Sequence, residues 1–339
     1  MDQLILSVVD QSPVRSGGTA KEALSETVDL AVAAESLGYR RYWVAEHHNL
    51  PSFAGTSPEI MVGQIASRTN TIRVGSGGVM LPHYSAFKVA ENFRMLETLF
   101  PGRIDLGIGR APGSDQITAT ALAFPRVPID VSHFPQQVRD VMSFLGDTHV
   151  KEHMFNSVFA GPGSFTVPEI WLLGSRIDSA ALAAEMGLPY SYAHFFGTSV
   201  ELGPKIVEMY RNNFKPSQYL DYPYVNVGVQ VICADTEERA QNIAWSRNLS
   251  RVKSVQGIRE GLPTIEEAKR YQYQPNEVAY IESLKVNYVD GNPLQVKAGL
   301  ETIAKEYQTN DLSVVTICYD FADRLKSYEL ISEVCGLVR

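Results

Sequence analysis

Residues 71–115 contain a complete strand, helix and strand, and no other stretch limits the fold of this chain so strongly. Between Ser85 and Pro101 apolar residues recur at helical spacing, with Ser85 placed as a cap and Pro101 and Gly102 as a stop. An apolar run typical of a buried strand lies on each side of this helix. Because a helix that joins two strands in this way makes a crossover, we expect the two strands to be parallel.

Both strands of this unit end on glycines. The first ends at Gly75, Gly77 and Gly78, and the second ends at Gly109, directly before Arg110. Backbone without side chains allows a flat or anionic group to approach closely, and ligands of α/β sheets bind at the carboxyl ends of the strands. We therefore predict a ligand site here. The alternative is that the glycines only allow the chain to make tight turns.

The same alternation of strand and helix continues along the chain. Eight strand-and-helix units without a linker or a change of composition fit a single α/β domain, a (β/α)8 TIM-like barrel over residues 1–339. Two doubly wound domains fit less well, since no GxGxxG follows the first strand. Two stretches depart from the alternation, an excursion at 149–167 and an insertion at 254–291.

Composition excludes several classes of partner. Charged residues make up 20% of the chain and the net charge of −8 is spread along it, so no basic patch indicates nucleic acid. The first apolar run is too short for a signal peptide or a membrane span, and we expect a cytoplasmic protein without membrane contact. The cysteines lie far apart in apolar runs, which predicts reduced core residues and no metal site: Cys233, Cys318 and Cys335.

If the barrel forms, the residues that follow its strands share one rim. His47 and His48 follow the second strand beside Glu46, and imidazole is the side chain that exchanges protons near neutral pH. Arg110 follows the fourth strand, and the N–H groups of residues 174–176 open a helix, so both are suited to hold a phosphate. Each residue also has a purely structural alternative. The histidines could be hydrogen-bonded core residues, Arg110 could form a salt bridge at the rim, and Ser175 could simply cap the helix.

Five segments of the chain, in order, strongly resemble the bacterial luciferase-like flavin monooxygenases, especially the single-chain branch of that family. The resemblance covers nearly the whole chain, and several motifs in the right order are more specific than any one of them. The segments are AEHHNLPSFAGTSPE, VGSGGVMLPHYSAFKVAE, GRIDLGIGRAPGSD, LLGSRIDSAALAAEMGLPYSYAHFF and DLSVVTICYDFADRLKSYELI.

The resemblance implies a luciferase-like TIM barrel that binds FMN. In this family reduced FMN is a co-substrate that a separate flavin reductase supplies, and it reacts with molecular oxygen to oxidise a small-molecule substrate. The resemblance also implies a homodimer through the helices that start near Ser57 and Ser85.

Carried over by position, His47 resembles the catalytic histidine of the family. Gly77 and Gly78 resemble the backbone under the flavin ring, which the family joins by a non-proline cis peptide bond. Arg110 and the turn at 174–179 resemble the phosphate ligands. The cofactor-binding set that the resemblance implies is Gly77, Gly78, Arg110, Gly174, Ser175, Arg176 and Ser179.

The chain departs from the light-emitting alpha chain at two places. Gly109 stands where that chain often has a reactive cysteine, and the insertion at 254–291 does not match it closely. The resemblance therefore does not extend to light emission or to long-chain aldehydes. We expect the insertion, which is rich in tyrosine and charge, to be a mobile lid, with a docked pair of helices as the alternative.

Two other functions fit the same barrel. Some relatives use a deazaflavin coenzyme for hydride transfer, and the luciferase beta chain is a non-catalytic flavin-binding subunit. His47 argues against the second, because a scaffolding chain has no use for a base at the ring edge. The first interpretation is an FMN-dependent oxidoreductase that incorporates oxygen into its substrate.

Overall fold

The computed structural model describes residues 3–110, 115–147, 154–163, 165–196 and 201–337. The strands are β1 (Ile5–Asp10), β2 (Arg41–Val44), β3 (Arg73–Met80), β4 (Ile104–Gly109), β5 (Glu169–Gly174), β6 (Tyr190–Ala193), β7 (Val225–Cys233), β8 (Tyr288–Gly291) and β9 (Asp311–Val315). The helices are α1 (Ala20–Ser36), α2 (Pro58–Ala66), α3 (Ala86–Leu99), α4 (Gln116–Ala123), α5 (Phe134–Gly146), α6 (Ile177–Met186), α7 (Leu202–Asn212), α8 (Glu237–Val255), α9 (Ile265–Arg270), α10 (Pro275–Lys285), α11 (Pro293–Glu306) and α12 (Phe321–Cys335). None of these helices has the length and hydrophobicity that crossing a membrane requires.

Eight of the strands close into a parallel barrel. β1 to β6 follow one another around the sheet, β9 pairs with β1, and β7 lies between β9 and β6 and closes the ring. Every one of these pairings is parallel, so the carboxyl ends of all eight strands meet at one rim. The predicted (β/α)8 TIM-like barrel is confirmed.

β8 is a ninth strand that the sequence did not predict. The pairing of β6 with β7 ends at Gly228, and β8 pairs with residues 230–233 beyond it. A strand edge without a neighbour exposes unpaired N–H and C=O groups, and β8 covers that edge of β7. The strand comes from the end of the predicted insertion at 254–291.

The rest of the insertion is mostly helical. α9 begins at a capping box of Thr264 with Glu267, and α10 begins at one of Gln274 with Glu277. Both helices lie against α8, and the Glu277 side chain is buried. This arrangement matches the docked pair of helices, and motion of the segment as a lid stays a prediction.

The excursion at 149–167 lies partly outside the described residues, and its described parts contain turns but neither helix nor strand. Two buried side chains of α3 hold it in place. Arg94 donates to the carbonyl oxygen of Ala160 at 2.7 Å, and the Glu97 carboxylate accepts from the Thr166 hydroxyl. The excursion is therefore fixed to the outside of the barrel.

Buried polar and aromatic side chains fill the barrel below the rim. Arg41 lies 2.8 Å from Asp105 and 2.9 Å from Glu169. Trp43 and Trp171 pack edge to face with ring centroids 5.2 Å apart, and their indole N–H groups donate to the same two carboxylates. Both indoles are fully buried, so they fill the barrel interior at this level.

Candidate active site

The candidate site lies at the rim where β2, β3, β4 and β5 end side by side. Every predicted site residue lies at this rim: His47 follows β2, Gly77 and Gly78 lie in β3, Arg110 follows β4, Gly174 ends β5, and residues 175–179 follow it. Parallel pairing of β2 with β3, of β3 with β4 and of β4 with β5 keeps these ends adjacent. The barrel therefore brings the whole predicted set to one face.

The backbone at Gly77 and Gly78 is tightly packed where a side chain would begin. A Cβ on Gly78 would lie 2.6 Å from the carbonyl oxygen of Gly107, and one on Gly77 would lie 3.0 Å from the Trp43 Cβ. The peptide bond between the two glycines is cis, which confirms the prediction. This segment therefore presents side-chain-free backbone next to Trp43, a surface on which a planar ring can pack.

His47 is held at the mouth of the barrel by two contacts. Its ring stacks on Phe53 with centroids 4.6 Å apart, and its backbone N–H donates to the Gly55 carbonyl oxygen at 2.8 Å. Its Nδ1 is buried and has no hydrogen-bond partner among the described residues. Burial, and then the nearby Arg251 and His48, lower the pKa of His47 to about 4. The imidazole is therefore neutral at pH 7.

Glu46 is a buried carboxylate that joins the ends of β2 and β3. It accepts from His48 Nε2 at 2.7 Å, from the Tyr84 hydroxyl at 2.8 Å and from the Met80 backbone N–H at 2.9 Å. Met80 ends the strand that carries the two glycines, so Glu46 fixes the backbone beside them as well as the His48 ring. Tyr84 gave no signal in the sequence because it lies 38 residues from the carboxylate that it binds.

Glu46→Gln is expected to lower the free energy of unfolding by about 2 kcal/mol or more, because an amide offers one oxygen to three donors. Denaturant unfolding at pH 7 measures the change. Glu59→Gln is the matched control: burial raises the pKa of Glu59, and the charge of Glu46 raises it further. Removing the charge of Glu59 should leave the free energy of unfolding unchanged or raise it slightly. Equal losses in the two variants would show that the Glu46 hydrogen bonds do not hold the strand ends.

Arg110 reaches from the end of β4 to the first turn of α6. Its Nη1 lies 3.2 Å from Asp178 Oδ2, and the Asp178 side chain is 69% exposed. The spacing of Ser175 and Asp178 predicts a capping box, and this prediction is wrong: the helix begins at Ile177, and the N-cap residue Arg176 makes no side-chain cap bond. The first N–H groups of α6 therefore lack a side-chain cap and lie near a guanidinium, which suits an anion.

Ser179 lies under this turn. Its hydroxyl donates to the Arg176 carbonyl oxygen at 2.8 Å and lies 3.1 Å from the Tyr190 hydroxyl, and the side chain is buried. A Cβ on Gly174 would lie 2.1 Å from Ser179 Oγ, so only glycine allows the two segments to pack. Gly174 and Ser179 therefore pack against each other and stabilise the turn. The groups of this turn that remain for a ligand are the Ser175 side chain and the backbone N–H groups.

A cavity of about 360 Å³ opens beside His48 at the same rim. Arg259 joins its walls: Nη2 lies 2.6 Å from Asp115, and Nη1 donates to the Asn49 carbonyl oxygen at 3.1 Å. Because Asn49 follows β2, Asp115 precedes α4 and Arg259 follows α8, this cluster ties three loops together at the mouth. Other residues that line the cavity are Leu50, Ser52, Ser250, Lys253 and Ser254.

The comparison with protein families defines the class of this protein. The family described as Luciferase-like monooxygenase matches residues 4–306, and the chain belongs to that family. The resemblance seen in the sequence is thereby confirmed. The protein is an oxidoreductase that acts with incorporation of oxygen.

Individual relatives align over nearly the whole chain. The uncharacterised protein YwcH of Bacillus subtilis (strain 168) is 46% identical over 97% of this chain and 98% of its own. The N-acetyl-S-alkylcysteine monooxygenase of the same organism is 34% identical over 97% of each chain. The crystal structure of apo-MsnO8 superposes with a TM-score of 0.90 at 35% identity and covers 99% of both chains.

Proposed function

We propose that this protein is a flavin-dependent monooxygenase that uses reduced FMN and molecular oxygen to oxidise a small organic substrate. One observation carries the proposal: the bare backbone at Gly77 and Gly78, the pairing of Arg110 with the start of α6, and the neutral His47 share one rim above a filled barrel. Membership of the family indicates the class of reaction. The residues at the rim support binding of the FMN ring and phosphate, with His47 as a base.

The rim fits FMN at both ends of the cofactor. The segment of Gly77 and Gly78 carries no side chain, so the ring would pack on backbone there. Arg110 and the uncapped N–H groups of α6 would hold the phosphate, with the Ser175 hydroxyl beside them. The Asp178 carboxylate would then leave Arg110, and its exposure allows it to turn into solvent. When bound, reduced FMN supplies the electrons with which oxygen is activated.

His47 is the proposed catalytic residue at the ring edge. Because its lowered pKa keeps the imidazole neutral at pH 7, Nδ1 can accept a hydrogen bond or a proton, and the opposite tautomer can donate one. Stacking on Phe53 fixes the plane of the ring, and Glu46 fixes the adjoining His48. These contacts position the imidazole before a ligand arrives.

In this proposal reduced FMN binds and leaves as a co-substrate, and a separate cytoplasmic flavin reductase supplies it. The alternative is hydride transfer with a deazaflavin coenzyme, which the same rim would accept. Anaerobic titration with each reduced cofactor, followed by intrinsic tryptophan fluorescence, separates the two. We expect saturable binding of reduced FMN, and binding of the deazaflavin alone would overturn the proposal. Binding of reduced FMN that yields no oxygenated product once oxygen and candidate substrates are added would indicate a non-catalytic subunit.

We also propose that the protein is a homodimer through α2 and α3. Large apolar side chains are exposed on these neighbouring helices: Ile60 (64%), Met95 (53%) and Leu99 (63%). A second copy packed on this face would remove that apolar surface from water. Static light scattering at micromolar concentration should give about twice the 37.5 kDa of one chain, and Leu99→Asp should shift the mass towards the monomer. A mass of 37.5 kDa for the unaltered protein would contradict the proposal.

A further inference from the structure

Arg251 is a partly buried cation for which the described residues supply no counterion. It lies on α8 and takes part in none of the ion pairs that the described residues form. Its one hydrogen bond to a described residue runs from Nη2 to Gln230 Oε1 at 3.5 Å, the long limit for such a bond. Other buried arginines have carboxylate partners, namely Arg41 with Asp105, Arg247 with Asp290 and Arg324 with Asp10. Arg251 differs from them because no described carboxylate pairs with it.

Gln230 shows which way Arg251 points. Gln230 pairs with Val315 of β9, and Val315 packs inside the barrel with Trp43. Paired residues of parallel strands face the same side, so Gln230 also faces the barrel interior. It is fully buried, and its Nε2 has no hydrogen-bond partner in the described part of the chain. The Arg251 guanidinium therefore reaches the inner side of the mouth.

His47 lies near this guanidinium. After burial, the charge of Arg251 contributes most to the low pKa of His47, so the two side chains are within electrostatic range. His47 Nδ1 is likewise buried without a partner among the described residues. The mouth thus holds, among the described residues, a cation without a carboxylate partner on α8 and two polar atoms without a hydrogen-bond partner, one on β7 and one on the loop after β2. Unpaired polar groups are costly to bury, so a ligand that satisfies them binds favourably.

We propose that Arg251, oriented by Gln230, binds a carboxylate of the substrate, so that the molecule oxidised is a small organic acid. The inference rests on the proposed function, because it places the substrate beside His47. A carboxylate fits since its two oxygens accept from two N–H groups of one guanidinium and supply the negative charge that the site lacks. The phosphate of FMN is a different anion with its own ligands, Arg110 and the start of α6. Gln230 is a positioning residue in this arrangement.

Matched pairs of acids and amides test the assignment. Benzoate with benzamide, phenylacetate with phenylacetamide, and butyrate with butyramide are titrated into the protein in the presence of FMN, and flavin absorbance reports binding. We expect an acid to bind about tenfold more tightly than its amide, the effect of a charge-assisted hydrogen bond. Arg251→Met should abolish this preference, and Arg251→Lys should retain part of it. Amides that bind as tightly as their acids in every pair, or acids that do not bind at all, would overturn the inference.

Arg239→Met is the matched control, since Arg239 lies on the same helix, is 47% exposed and pairs with Asp323. It should change neither acid binding nor FMN binding. In Arg251→Met the dissociation constant of FMN should change by less than about twofold, because the two anion sites are separate. A large loss of FMN affinity would mean that Arg251 holds the cofactor and would overturn the assignment. Failure of the unaltered protein to bind reduced FMN would instead count against the proposed function.

Discussion

His47→Ala is expected to lower the yield of oxygenated product by a factor of about 10² to 10⁴, the range for loss of a positioned general acid or base. The affinity for reduced FMN should stay nearly unchanged, since the proposed phosphate contacts lie elsewhere on the rim. Single turnover with limiting reduced FMN, with product measured by mass spectrometry, gives the yield. His133→Ala is the control, because His133 is an exposed residue of a short helical turn. An unchanged yield in His47→Ala would show that the imidazole only packs against Phe53.

The pH profile of the unaltered protein tests the same residue. Burial, then Arg251 and His48, lower the pKa of His47 to about 4, so the ring stays neutral down to acidic pH. The rate of product formation should therefore be constant from about pH 8 to about pH 5.5. It should fall as the pH approaches the pKa of His47, where the ring becomes protonated. An inflection near pH 6.5, the ordinary value for histidine, would contradict the buried and neutral state of His47.

The second large effect is expected at the phosphate. Arg110→Ala should weaken the binding of reduced FMN by about 2 kcal/mol or more, roughly 30-fold, because charge-assisted hydrogen bonds are lost. Arg139→Ala is a matched control: Arg139 pairs with Glu185 near the other end of α6 at 3.2 Å, the same distance as Arg110 from Asp178. This control should leave the dissociation constant unchanged.

Asp178→Asn should act in the opposite direction. Its carboxylate would compete with the proposed phosphate for Arg110, so its removal should tighten the binding of reduced FMN modestly. Fluorescence titration under anaerobic conditions measures all three variants. The same dissociation constant in Arg110→Ala and in the unaltered protein would exclude a phosphate at this position.

The barrel was predictable because each unit carries its own local signals. α1 is one example: Thr19 and Glu22 form the capping box that their spacing predicts, and the structure shows both of its hydrogen bonds. Apolar periodicity and start and stop residues recur along the chain, so the order of strands and helices follows from short-range patterns. His47 and Arg110 were located for the same reason, because they directly follow strands and the barrel brings such residues to one rim.

The features that the sequence missed depend on contacts between distant residues. β8 forms because the edge of β7 needs a neighbour, and nothing within its four residues shows that need. Arg251 lies on a helix with many polar residues, and only its contact with Gln230, 21 residues away, shows that it faces the barrel. The capping box at Ser175 failed because Arg176 takes the N-cap position, a shift of one residue that spacing alone does not detect.

The central claim is that FMN binds along the rim of β2 to β5, with its ring on Gly77 and Gly78, its phosphate at Arg110 and α6, and His47 at the ring edge. A crystal structure of the protein with FMN tests this claim most directly. We expect phosphate oxygens within about 3 Å of the Arg110 guanidinium and of the first N–H groups of α6, and the isoalloxazine ring against the two glycines. FMN bound elsewhere, or with its phosphate away from Arg110, would contradict the claim.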